Sequence, residues 1–106
     1  MTPINKQQLR EMNDARHEDF VLINVLSPAD FRDRHIRTSV NVPVADEGFV
    51  ETVERISGSK QRKLVVYCAS SDCDASPKAA RKLEEAGFED VYDYEGGSAD
   101  WFDRAA

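Results

Sequence analysis

Two short segments of the chain, Phe20-Val21-Leu22-Ile23 and Leu64-Val65-Val66-Tyr67-Cys68, are apolar at every position. A strand with one wet face alternates apolar and polar residues, whereas a strand apolar throughout needs cover on both faces. Both segments are too short for helices and rich in β-branched and aromatic residues. They read as buried strands over Phe20–Val25 and Lys63–Tyr67. Such strands belong in a parallel sheet, and a parallel sheet needs helical crossovers to cover it.

The rest of the chain supplies those helices. Asn5 and Gln8 have the spacing of a capping box, and Leu9 and Met12 follow at helical spacing, which predicts a helix over 6–16. Ser27-Pro28 ends the first strand and starts a turn or two of helix through Ala29-Asp30-Phe31-Arg32. Val40-Asn41-Val42 alternates and stops at Pro43, as a short strand does. Asp46 or Glu47 opens a helix with Phe49, Val50, Val53 and Ile56 on one face, ended by Gly58. Ser76-Pro77 repeats the Ser-Pro start, with Ala79, Ala80, Leu83 and Ala86 at helical spacing and Gly87 as terminator. Val91 to Tyr94 is a third strand. Gly96-Gly97 then makes a turn, and Ser98 caps a last short helix whose Trp101 and Phe102 cover the sheet. The expected class is α/β, one domain over 1–106, with a central parallel sheet flanked by helices on both faces.

Charge narrows the function. Asp and Glu number 20 against 14 Lys and Arg, a formal net charge of -6. An acidic surface repels nucleic acid and anionic membranes, so neither is expected as a partner. No apolar run approaches the ~20 residues of a membrane span, and no apolar core follows Met1-Thr2-Pro3-Ile4-Asn5-Lys6, so no signal peptide is expected. The two cysteines, Cys68 and Cys73, are too few for a disulfide scaffold, which favours the reducing cytoplasm. They do not form a paired zinc motif, and His17 and His35 are the other soft ligands. No phosphate loop, dinucleotide glycine pattern or Ser-His pair is present, and no cofactor is expected.

In a parallel sheet, ligands bind where loops leave the carboxyl ends of the strands. The loop after Tyr67 runs Cys68-Ala69-Ser70-Ser71-Asp72-Cys73-Asp74-Ala75-Ser76, small and polar, into a helix start. Inward backbone amides and a helix dipole would favour a thiolate, making Cys68 a nucleophile at neutral pH. A buried, inert strand cysteine is the competing reading.

Taken together, Leu22 to Phe31, Arg34 to Pro43, Val65 to Cys68, Ser76 to Phe88 and Val91 to Gly97 with Trp101 resemble, in order along the chain, the motifs of the rhodanese-like sulfurtransferase family. Leu22-Ile23-Asn24-Val25-Leu26-Ser27-Pro28-Ala29-Asp30-Phe31 is similar to the signature around its second strand. Arg34 to Pro43 resembles its Gly-His-Ile-Pro-Gly-Ala segment and the Asn-Ile-Pro beyond it. Val65-Val66-Tyr67-Cys68 resembles the strand ending in the catalytic cysteine, Ser76 to Phe88 its helix and Ala-Gly-Phe exit, and Val91 to Gly97 with Trp101 its closing element. The resemblance implies a rhodanese-like domain with a parallel sheet of about five strands, an ordinary sheet size. Its first strand would be Pro3-Ile4. It also implies that Cys68 carries sulfane sulfur as a persulfide. The donor would be thiosulfate, polysulfide, a thiol persulfide or a protein, and the acceptor a thiol or cyanide. The backbone amides of Ala69, Ser70, Ser71, Asp72, Asp74, Ala75 and Ser76 would hold the charge.

The chain departs from that pattern in places. Asn24 stands for the usual Asp and Leu26 near the usual Arg, while Arg34 and Arg37-Thr38-Ser39 replace the Gly and Pro-Gly-Ala. His35 is kept and reads as a histidine bonding the backbone rather than a base. The cysteine loop is longer than the common one, as in phosphatases and arsenate reductases of this fold. Those need a cation for a dianion, yet no Arg or Lys lies between Cys68 and Pro77, and Asp72 and Asp74 do. These acids repel phosphate and arsenate, and would hinder thiosulfate and raise the Cys68 pKa unless they point into solvent. Cys73 is a candidate resolving thiol that closes a disulfide on Cys68, or a small loop residue. Beside the sulfurtransferase stand a catalytically weak binding or redox-sensing module and a thiol–disulfide exchanger using Cys68 and Cys73.

Overall fold

The computed structural model describes residues 1–14 and 19–103. The elements follow in the order β1 (Thr2–Ile4), α1 (Lys6–Asp14), β2 (Phe20–Asn24), α2 (Pro28–Asp33), β3 (Val40–Asn41), α3 (Phe49–Ser57), β4 (Lys63–Tyr67), α4 (Ala75–Glu85), β5 (Val91–Tyr94) and α5 (Gly97–Trp101). The five strands form one sheet in the order β1-β5-β4-β2-β3, and every pairing is parallel.

The sheet explains why its central strands carry no polar alternation. Leu64, Val66 and Cys68 join Val21, Ile23 and Val25 in one buried cluster, with Phe49 and Val53 of α3 and Ala79, Ala80 and Leu83 of α4. Val65 and Tyr67 join Leu22 in a second cluster, on the opposite face, with Ile4, Leu9 of α1, Ile36 and Tyr94. Successive residues of a strand point to opposite faces, so apolar cover on both sides demands apolar residues at every position. Each fully buried side chain of this kind is worth about 1.5–3 kcal/mol.

Local signals act as expected at several ends. The Gln8 N–H donates to Asn5 Oδ1 at 2.9 Å and the Asn5 N–H to Gln8 Oε1 at 2.8 Å, closing the capping box. Ser27 caps α2 by accepting from the Asp30 N–H at 3.3 Å. Gly58 ends α3 in the left-handed region, φ +78.

Other ends differ. Helix α3 starts at Phe49 rather than at Asp46 or Glu47, because hydrogen bonds from the Asp46 N–H to the Pro43 carbonyl and from the Phe49 N–H to the Asp46 carbonyl make turns there. Its buried face is Phe49, Val53 and Ser57, and Ile56 is 39% exposed. Val42 lies just past β3, its N–H bonded to the Asn24 carbonyl. Helix α4 starts one residue before Ser76, with Asp74 at the cap position, and Ser98 lies inside α5 rather than at its cap. Phe102 is 37% exposed beneath Arg34, so Trp101 alone of that pair packs on the sheet, edge-on to Tyr94. Residues 15 and 16 of the expected first helix, and His17, lie outside the described residues. Among the described residues, no helix is long and apolar enough to cross a membrane.

Candidate active site

Strand β4 runs out at Tyr67, and the next residue, Cys68, is 1% exposed. Its thiol faces three acceptors, the Ser76 hydroxyl oxygen at 3.6 Å and the carbonyl oxygens of Cys73 at 3.6 Å and Ser70 at 3.9 Å. The loop curls on itself through a bond from the Cys73 N–H to the Ser70 carbonyl at 3.1 Å. Asp74 then leads into α4, whose second residue, Ser76, turns its buried hydroxyl toward the sulfur. Helix α5 grips the start of the loop. The Ser98 N–H donates to the Cys68 carbonyl at 2.9 Å and the Ala99 N–H to the Ala69 carbonyl at 2.8 Å.

Of the residues singled out by sequence, Cys68, Cys73 and Ser76 come together. Ser70 and Ala75 are half-buried beside them, and Ala69, Ser71, Asp72 and Asp74 are exposed. Burial pushes the Cys68 thiol above its ordinary value and is the largest influence; the neighbouring Cys73 side chain adds to it. The Ser76 hydroxyl and the Ser76 amide pull the other way. This corrects the expectation of a thiolate favoured at neutral pH, because desolvation outweighs the helix start. The upward direction expected from Asp72 and Asp74 has other causes, and both carboxylates sit in solvent.

The departures at Asn24 and Arg37-Thr38-Ser39 meet at a second buried group. The Tyr67 hydroxyl oxygen accepts from the Ile36 N–H at 3.0 Å and from Asn24 Nδ2 at 3.1 Å, and lies 2.8 Å from Ser39 Oγ. Asn24 Oδ1 accepts the Leu26 N–H at 2.9 Å. A neutral amide thus serves as both donor and acceptor where a carboxylate would only accept. His35 bonds the Phe31 carbonyl through Nδ1 at 2.7 Å and stacks on the Phe31 ring at 3.8 Å.

Two features were not seen in the sequence. A cleft of about 180 Å³ opens beside the loop, lined by Leu26, Asp30, Asp33, Arg34, Ala69 and Ser98. Arg34 brings a cation there, offset by two carboxylates. The second is Asp93, 1% exposed on β5. Its signal was an acid at the position two after Val91, on the buried side of a strand.

A family model for the rhodanese-like domain matches residues 5–104. The chain belongs to the rhodanese-like family. A Schizosaccharomyces pombe protein, named provisionally as a mitochondrial thiosulfate sulfurtransferase, is 31% identical over 93 residues, covering 79% of this chain and 64% of that one. The chain thus spans somewhat less than two-thirds of that relative. A rhodanese-like domain from Anabaena, solved in solution, is 26% identical with a TM-score of 0.80, covering 95% of this chain and 73% of that one. A rhodanese from E. coli, solved with anions, is 25% identical with a TM-score of 0.65, covering 76% and 89%.

Proposed function

We propose that the protein is a sulfurtransferase that carries sulfane sulfur as a persulfide on Cys68. The observation that carries this reading is the placement of Cys68 at the carboxyl end of the central strand, with Ser76 Oγ 3.6 Å from its sulfur. The Cys68 thiolate attacks the outer sulfur of a donor. With thiosulfate, the sulfur–sulfur bond breaks, sulfite leaves with the electron pair, and a Cys68 persulfide anion remains. An acceptor thiolate or cyanide then attacks the outer sulfur and releases the Cys68 thiolate. The Ser76 amide and hydroxyl supply the hydrogen bonds that hold negative charge near Cys68.

The donor is read from the surroundings. The loop presents Asp72 and Asp74, and the one cation of the adjoining cleft, Arg34, is balanced by Asp30 and Asp33. A free dianion is disfavoured by that charge, so a thiol persulfide or a protein-borne sulfur is the better donor. Incubated with polysulfide, the protein should gain the mass of one sulfur atom, and Cys68→Ser should gain none. With thiosulfate the gain should need higher donor concentration. No gain on the native chain with either donor refutes the carrier and favours a binding module; vigorous thiosulfate:cyanide turnover at low substrate refutes the donor preference.

A second reading concerns Cys73, whose carbonyl accepts from the Cys68 thiol at 3.6 Å. Both cysteines are free. When peroxide oxidises Cys68 to a sulfenic acid, attack by the Cys73 thiolate forms a disulfide and expels the oxygen as water. Peroxide-treated protein should then lose two hydrogens in mass, reversibly with a reducing thiol, while Cys73→Ser should proceed to sulfinic acid. Identical masses for the two proteins refute a resolving role.

A further inference from the structure

Three charged side chains line the cleft beside the cysteine loop, Asp30 and Asp33 of α2 and Arg34 just past its end. All three are exposed, and among the described residues none of these side chains has a hydrogen bond or an ion pair, with one another or with any other group. Arg34 is held through its face instead. Its guanidinium stands 5.2 Å over the ring of Phe102, just past α5. Stacking engages the face and leaves the planar N–H edge free, the edge that matches a carboxylate. Ser98 of α5 also lines the cleft. It is 4% exposed, and its hydroxyl oxygen has no partner among the described residues. A buried hydroxyl without a partner costs free energy that an incoming polar group recovers. The cleft adjoins the cysteine: Ala69, in its wall, follows Cys68 directly, and the Ser98 N–H donates to the Cys68 carbonyl at 2.9 Å.

Unpaired charges of both signs in one small space suit a ligand that carries both signs. A dianion meets two carboxylates for one guanidinium, and a simple amine meets the guanidinium. The volume, about 180 Å³, is below the ~300–1,000 Å³ of sites for drug-sized ligands, so it takes a head group of a few heavy atoms. We propose that the cleft is a subsite for the zwitterionic head of a small amino-acid thiol. Its carboxylate lies on the Arg34 edge, its ammonium on Asp30 and Asp33, and the Ser98 hydroxyl bonds the head. The inference rests on Cys68 as the sulfur carrier and names the thiol it exchanges with. With the persulfide of that thiol as donor, the Cys68 thiolate attacks the outer sulfur, the sulfur–sulfur bond breaks, and the carrier leaves as a thiolate with the electron pair. The reverse step returns the sulfur to the free thiol. Arg34 stands where the family pattern has glycine, so the preference belongs to this chain rather than to its fold.

The test uses protein loaded by polysulfide and then offered D- or L-cysteine, with loss of one sulfur followed by intact mass. The enantiomers share charge, thiol pKa and intrinsic reactivity, so only a site that holds both groups of the head distinguishes them. The favoured enantiomer should react about tenfold faster, the worth of one charge-assisted hydrogen bond. Arg34→Met should slow that enantiomer about tenfold more than it slows cysteamine, which lacks the carboxylate. Asp30→Asn with Asp33→Asn should slow it about tenfold more than 3-mercaptopropionate, which lacks the ammonium. Equal rates for the enantiomers overturn the proposal, as does an equal loss for every thiol in either variant, the result of a merely structural role.

S-methylcysteine, which has the head and no thiol, separates this inference from the persulfide reading. Added to Cys68→Ser protein, it should move the amide NMR signals of Arg34, Ala69 and Ser98 saturably, and Arg34→Met should abolish those shifts. Absent shifts overturn the subsite while sulfur loading of Cys68 stands. If Cys68 takes up no sulfur, the titration still reads the cleft.

Discussion

Gly97→Ala should lower the melting temperature by about 8 °C or more, taking ~4–8 °C per kcal/mol for a domain of this size. Gly97 has φ +64, and a Cβ there would lie 2.3 Å from the Cys68 carbonyl oxygen and 2.9 Å from both the Ala69 carbonyl carbon and the Ser70 nitrogen. All three are backbone atoms, which cannot swing aside. A left-handed conformation costs a residue with a Cβ ~1–2 kcal/mol, and overpacking adds about 1–3 kcal/mol. The strain falls on the Ser98–Cys68 and Ala99–Ala69 bonds, so sulfur loading of Cys68 should also fall. Gly48→Ala is the control. Its Cβ would meet nothing nearer than the Thr52 hydroxyl oxygen at 4.0 Å, and Gly48 has an ordinary φ of -89. Thermal melts by circular dichroism compare the two. A Gly97→Ala melt within about 3 °C of the native chain, less than 1 kcal/mol on that scale, contradicts the packing argument.

Tyr67→Phe should cost about 2–5 kcal/mol, although it removes a single oxygen. That oxygen accepts from the Ile36 N–H and from Asn24 Nδ2, and Tyr67, Ile36 and Asn24 are all at most 1% exposed. Phenylalanine keeps the ring and leaves two buried donors bare, each costing ~1–3 kcal/mol. Ser39 suffers less, because its hydroxyl also donates to the Ile36 carbonyl at 2.6 Å. Urea unfolding should show a lower midpoint with an unchanged slope. Tyr94→Phe loses only the bond to Asp100, an exposed carboxylate, and should cost about 1 kcal/mol. Equal midpoints for the two variants would contradict the role given to Tyr67.

Both predictions rest on contacts between segments far apart in the chain, and so mark what a linear reading misses. Phe20–Val25 and Lys63–Tyr67 announced a covered parallel sheet because strands buried on two faces have no room for polar alternation. The place of the cysteine loop followed from that sheet, since its carboxyl edge is where side chains can converge. The Ser-Pro context of Ser76 predicts a helix cap. Ser76 is instead the second residue of α4, turned inward to the sulfur. A cap pattern reports which residues suit a helix start, not which way a hydroxyl turns once a buried thiol offers it a partner.

The chain by itself determined the class of fold, the cysteine loop and the acidity of its rim, because these follow from periodicity, turn residues and charge along a short stretch. Tertiary structure alone decided that burial pushes the Cys68 thiol above its ordinary value, since its desolvation comes from the strands and helix packed around it. It alone brought the Ser76 hydroxyl of α4 and the carbonyls of Ser70 and Cys73 to the same sulfur. Charge and spacing are written in order along a chain. Burial and hydrogen bonding depend on which distant residues the fold makes neighbours.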